Sequence, residues 1–222
     1  MVSGRWRTLA LVLVTLGVLA WALTQFRPAG PQNPLTNPAS VERELLADAP
    51  GGALSRTIKR SFPEDFDALK AAVVARARDG GGPAEVQETA GAFLSAATRR
   101  HSAGLIQAPA PALRAYLTAE IALVEQLAAT SPERCAAYFN DRPDEASWYA
   151  PDLRALYLRQ NIALWEAAAA ARDHPAGRTL AVVEPNPNPL SCRDGLAALQ
   201  STAAMPDAAF EQTYPLMLSI VR

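Results

Sequence analysis

Two histidines, two cysteines and a scatter of acids are the side chains in these 222 residues from which a metal site or a His-based catalytic set would have to be built. The histidines, His101 and His174, lie far apart and form no His-x-x-x-His pair. With no cysteine cluster beside them, no metal site is expected. His174 stands in Asp173-His174-Pro175, at a helix-to-loop boundary. Sequence neighbours rarely face each other productively, and no G-x-S-x-G elbow supplies a serine for a His–Asp pair. Gly80-Gly81-Gly82-Pro83 precedes a helix but lacks a following Lys-Ser/Thr, so it reads as a helix terminator rather than a phosphate loop. Glu42/Glu44 and Asp65/Asp67 fall at helix starts, where the dipole favours them, and make weak acid–base pairs. No catalytic set and no cofactor is expected.

Two clusters invite a binding reading. Arg99, Arg100 and His101 form the densest basic group. They suit an anion or lipid headgroup, but cations also gather at a helix C-terminus to meet its last carbonyls, and that plainer explanation is favoured. His101 also continues the apolar stripe Val86, Ala90, Phe93 and Ala97. The second cluster is 138–149, YFNDRPDEASWY. Half of the aromatic residues beyond residue 27 lie between 138 and 165, with charges among them. Tyr138, Phe139, Arg142, Trp148 and Tyr149 are candidate partner contacts, because aromatics with arginine dominate binding hot spots. The competing expectation, and the favoured one, is that these aromatics fold back onto a core.

Cys135 and Cys192 are the only cysteines, and an even pair in an oxidising compartment reads as one disulfide. Without a C-x-x-C arrangement it is structural rather than redox-active.

The compartment comes from residues 8–26, TLALVLVTLGVLAWALTQF, apolar and uncharged between Arg7 and Arg27. Such a helix spans about 28 Å, close to a bilayer's hydrocarbon core. An uncleaved signal-anchor is expected, with 1–7 as a cytoplasmic tail; a signal sequence cut after Ala20-Trp21-Ala22 is the alternative. Either way the body lies in the periplasm of a bacterium, whose GC-rich genome would explain a chain about one-fifth alanine. Of 21 basic residues, Arg5, Arg7 and Arg27 belong to the leader, which leaves 18 against 22 acids and argues against nucleic acid as a partner. Residues 27–39 form a Pro-rich spacer, expected to be extended.

The body, 40–222, reads as all-α, a bundle of about six or seven helices behind the membrane helix. Starts are expected at Ser40, at a Ser61-Phe-Pro-Glu64 capping box, at Pro83, Pro111, Ser131-Pro132 and Pro151, at a Ser191–Asp194 capping box and at Asp207. Pro215 is expected to kink the last helix. In 112–129, Leu113, Leu117, Ile121, Val124 and Ala128 form one stripe. In 152–173 only Asp152, Arg159, Glu166 and Asp173 form a polar line, so this helix is expected to be the hub. The function expected is a membrane-anchored, non-enzymatic binding or assembly factor for another envelope protein. The alternative is a His-based, hydrolase-like periplasmic enzyme using His101 or His174. An uncleaved anchor predicts the full mass of 23.7 kDa in the membrane fraction. Intact-mass spectrometry checks this, because cleavage would yield a chain starting at Leu23 instead.

Overall fold

The computed structural model describes residues 33–47, 51–140, 151–178 and 190–220, with the backbone alone at 151, 152 and 215–220. Among the described residues there are nine α-helices and no strand. They are α1 (Pro38–Leu45), α2 (Gly52–Ser61), α3 (Pro63–Arg78), α4 (Pro83–Ser102), α5 (Ala110–Thr130), α6 (Pro132–Phe139), α7 (Pro151–Asp173), α8 (Cys192–Ala203) and α9 (Asp207–Ile220). Short 3₁₀ turns occupy Pro34–Thr36 and Leu105–Gln107. The chain divides into two compact units between Arg100 and His101.

The first unit begins inside the expected spacer. Asn33 and Asn37 each turn a side-chain oxygen onto the backbone two residues on, accepting from Leu35 N at 3.0 Å and Ala39 N at 2.9 Å. These caps start the 3₁₀ turn and α1, and Leu35 is buried. The spacer is therefore folded from Asn33 onward, and α1 is capped by Asn37 rather than Ser40. The helix expected to open at Ser61–Glu64 starts at Pro63, with Phe62 rather than Ser61 at its N-cap. Ser61 closes α2, and Phe62 breaks the helix at φ −140° because Pro63 follows it. In α3, Phe66, Leu69, Val73 and Ala77 recur at three- and four-residue steps and are all buried. Gly80, at φ 83°, ends α3; its N–H reaches Ala77 O, and Gly81 N–H reaches Arg76 O at 3.0 Å.

Ion pairs join these helices. Arg76 pairs with Glu85 near the turn between α3 and α4, and Arg100 Nη2 meets Asp65 Oδ1 at 2.5 Å. Lys59 of α2 and Lys70 of α3, the chain's only lysines, both reach Glu42 of α1, at 2.6 and 2.8 Å. Their ammonium groups also lie 5.5 and 5.6 Å from the centre of the Phe66 ring.

In the second unit α5 is the hub, packed against α6, α7, α8 and α9. The long helix α7, expected in that role, packs on α5 and on the turn at 105–107. Of the stripe expected on α5, Leu113, Leu117 and Val124 are buried and Ile121 and Ala128 are half-buried, while Ala119, Leu123 and Leu127 are buried as well. A helix touching four neighbours must bury most of its circumference. The polar line of α7 faces outward, with Arg159, Glu166 and Asp173 exposed.

Arginines close the ends of this unit. Arg114 donates to Ala203 O at 2.7 Å and Met205 O at 2.5 Å, pairs with Asp207, and lies over the Phe210 ring at 4.2 Å. It satisfies carbonyls at the end of α8 and sets the start of α9, which continues past position 215. Arg178 donates to Ile106 O and Ala108 O, at 3.1 and 2.7 Å, and pairs with Glu211. Gln107 bonds both the N–H and the carbonyl of Arg178.

No helix among the described residues is long and apolar enough to cross a membrane, and segment 8–26 lies outside them.

The two lysines hold Glu42 down to about 2, from an ordinary 4.5. A depressed carboxylate contributes stability that is present above about pH 4.5 and is lost as the pH falls toward about 2. Glu42→Gln is expected to lower stability near neutral pH and to flatten its decline over that acid range. Denaturant midpoints measured across the range check it.

Candidate functional site

The second unit brings its distinctive residues together around α6. Ser131 caps this short helix, accepting from Arg134 N at 3.3 Å, and Pro132 presets its first turn. Cys135 follows in that turn. Ser191 caps α8 in the same way, accepting from Asp194 N at 3.1 Å and donating to its carboxylate at 2.6 Å. Cys192 is the first residue of α8. The two cysteines form a disulfide with Cα atoms 5.1 Å apart. Closing this 57-residue separation removes about 4 kcal/mol of unfolded-chain entropy on the loop-closure estimate. One turn on, Asn140 copies a backbone pairing with Leu190, donating to its carbonyl at 2.7 Å and accepting its N–H at 2.8 Å. Phe139 packs against Gly195, where an added Cβ would lie 2.5 Å from the ring. Only glycine lets α8 approach α6 this closely.

Beside the disulfide runs an open groove of about 750 Å³ between α5, α6 and α8. Ala128, Pro132, Ala136, Cys192, Leu196 and Ala197 give it an apolar lining of mostly small side chains. Glu133 and Arg193 place one charge of each sign along it.

On its other side α6 meets a buried polar cluster. Glu120 of α5 is 5 % exposed. Its Oε1 accepts the Tyr138 hydroxyl of α6, and its Oε2 accepts Gln160 Nε2 of α7 at 3.1 Å. Gln160 Nε2 also reaches the Tyr116 hydroxyl at 3.3 Å, and Gln160 Oε1 accepts from Asn161 at 3.3 Å. Asn161 in turn donates to Tyr157 O at 2.9 Å. Among the described residues no lysine, arginine or histidine pairs with Glu120, so neutral donors hold the carboxylate. Such a group is costly to bury unless its lone pairs are filled. Burial, and then the charge of Glu120, push the phenols of Tyr116, Tyr138 and Tyr157 well above the ordinary tyrosine range.

The anticipated site residues fall in several places. Cys135 and Cys192 are joined. The hydroxyl of the half-buried Tyr138 is held by Glu120, and the Phe139 ring, 4 % exposed, fills the space over Gly195. The fold-back of these two aromatics satisfies a phenol and covers a glycine. Arg142, Trp148 and Tyr149 lie outside the described residues. Arg100 is paired with Asp65, and the His101 ring lies 5.0 Å from that of Trp165. His174 is exposed at the end of α7. No group of three or more metal-ligating side chains occurs among the described residues.

Glu120 and its amide partners were not anticipated. Gln160 and Asn161 follow Arg159 at about 100° per residue around α7, so they leave the polar line and turn inward. That departure was the available signal. Comparison of the chain with protein-family models, with curated proteins and with solved structures returned no match.

Raised phenols tie stability to the neutral tyrosine. Their contribution is complete below about pH 10 and falls as the pH rises above it. In an alkaline titration, phenolate absorbance from Tyr116, Tyr138 and Tyr157 is expected to appear only together with loss of helical circular dichroism. Ionisation of all five tyrosines near pH 10 in a still-folded chain would contradict the cluster.

Proposed function

We propose that this chain is a membrane-tethered, periplasmic binding or assembly factor, and that the groove between α5, α6 and α8 seats an apolar helical segment of another envelope protein. The observation that carries this reading is the groove itself. Small side chains let a partner backbone approach closely, and the disulfide keeps two walls in register. Glu133 and Arg193 fit a partner helix whose apolar stripe is flanked by charges of both signs. The tether is residues 8–26, and the anchored N-terminus is cytoplasmic. The fate of the histidines lends no support to the alternative His-based enzyme, since one ring packs on tryptophan and the other is exposed.

Ala197 is exposed on the groove, and its substitution need not disturb the core. A photo-crosslinking residue at 197 in living cells is expected to trap one dominant envelope protein. The same probe at Ala115, exposed on α5 away from the groove lining, should not trap it. Ala197→Arg is expected to abolish association with the trapped protein at least about tenfold, since an unmatched charge in an apolar interface is strongly unfavourable. Equal trapping at both positions, or an unaffected Ala197→Arg variant, would reject the groove as the contact surface.

A further inference from the structure

We propose that Cys192 is the entry point through which the disulfide is installed: it forms a mixed disulfide with an incoming disulfide-bearing oxidant, and Cys135 resolves it. The two cysteines are joined but not equivalent. Cys135 is 0 % exposed and is the fourth residue of α6, its N–H donating to Ser131 O at 3.0 Å. Cys192 is half-buried, lines the open groove and is the first residue of α8. A reactant in solvent meets Cys192 in the groove, whereas Cys135 offers it no surface. Helix position favours the same cysteine. The first amides of a helix carry partial positive charge and favour a thiolate beside them. Cys192 stands at that end of a 12-residue helix, and the Asp194 carboxylate in the same turn accepts the Ser191 hydroxyl at 2.6 Å.

Non-covalent contacts flanking the bond set the two helices side by side without it. Asn140 of α6 pairs with the backbone of Leu190 through bonds of 2.7 and 2.8 Å. Phe139 fills the space over Gly195 of α8, and Tyr138 holds α6 to Glu120 of α5. In the reduced chain these contacts keep Cys135 beside Cys192. Sealing the bond then needs no search across the 57-residue separation.

The exchange balances in two steps. The Cys192 thiolate attacks one sulfur of the oxidant. The oxidant's S–S bond breaks, and the sulfur that leaves takes the proton Cys192 gave up. Cys135 then loses its proton, attacks Cys192 Sγ and expels the second oxidant sulfur as a thiol. Two protein thiols are oxidised, and the oxidant's disulfide is reduced to two thiols. The opposite order would require the fully buried cysteine to meet the oxidant first. The finished bond is structural, and the groove serves here as access alone, whether or not a partner segment also binds there.

Glutathione disulfide is the probe, applied to full-length Cys135→Ser and Cys192→Ser chains. Cys135→Ser is expected to take up glutathione on Cys192 at least about tenfold faster than Cys192→Ser takes it up on Cys135. In concentrated guanidinium the two rates should converge, which separates the effect of the fold from that of the flanking sequence. A second measurement needs no substitution. The reduced, otherwise unaltered chain is treated briefly with a substoichiometric amount of iodoacetamide, and the label is mapped by peptide mass spectrometry. Cys192 is expected to carry at least about ten times the label of Cys135. Equal reaction of the two cysteines in buffer, a preference that persists in guanidinium, or modification mainly at Cys135 would overturn the proposal.

Discussion

A carboxylate placed among helices with no cation paired to it among the described residues must be met by donors from several directions at once, and the second unit is arranged around that demand. Glu120 sits on α5, the helix that every other long element of the unit touches. Its two oxygens draw one hydroxyl from α6 and one amide from α7, which fixes the rotation of both helices about α5. Apolar packing alone would tolerate small rotations, because methyl groups have no preferred partner. A hydrogen bond to a buried charge does not, since a missed donor leaves the charge uncompensated. The apolar residues supply the larger share of the free energy, and the polar cluster selects one register among those that packing permits.

The disulfide acts on the same short helix by a different route. Cys135 and Tyr138 are three residues apart on α6 and face different neighbours, one covalently joined to α8 and the other held by α5. The covalent bond works largely by restricting the unfolded chain, and its effect does not depend on pH. The polar bond works in the folded state, where a phenol meets a buried carboxylate. A helix of eight residues is too short to be stable alone, so α6 depends on its attachments to α5 and α8.

The parts of this fold that were legible in the sequence are those set within a few residues. Ser131 before Pro132 and Ser191 before Asp194 cap helices as their local chemistry requires, and Pro83 and Pro151 open theirs. The all-helical class follows from the same signals, and the disulfide from the even cysteine count. What was not legible depends on partners distant in sequence. Helix α2 begins at Gly52 after Gly51, a poor helical start, and is held by the burial of Leu54 and Ile58 and by Lys59 reaching back to Glu42. The spacer folds from Asn33 because Leu35 finds a core and Arg78 donates to Thr36 O at 3.1 Å. Nothing beside Glu120 in the sequence marks it as buried, because its donors lie 18 and 40 residues away. Local rules name the caps, and only tertiary packing names the buried charge.

This distribution of chemistry bears on what the protein does. A group that turns over substrate must present an open lone pair or proton to solvent. Several of the chemically loaded residues described here face each other instead: both Glu120 oxygens are occupied, Arg114 closes the end of α8, Arg178 is taken up by carbonyls and Glu211, and the His101 ring lies against Trp165. What the second unit turns outward beside the disulfide is a groove of alanine, proline and leucine with one charge of each sign. Such a surface offers shape and little reactivity. Recognition by shape gains from walls held in a fixed register, because every rotamer frozen before contact is one less to freeze on binding. The internal polar chemistry and the inert outer surface are therefore two sides of one arrangement: polar residues are committed to holding α6 in place so that its opposite face has a defined form.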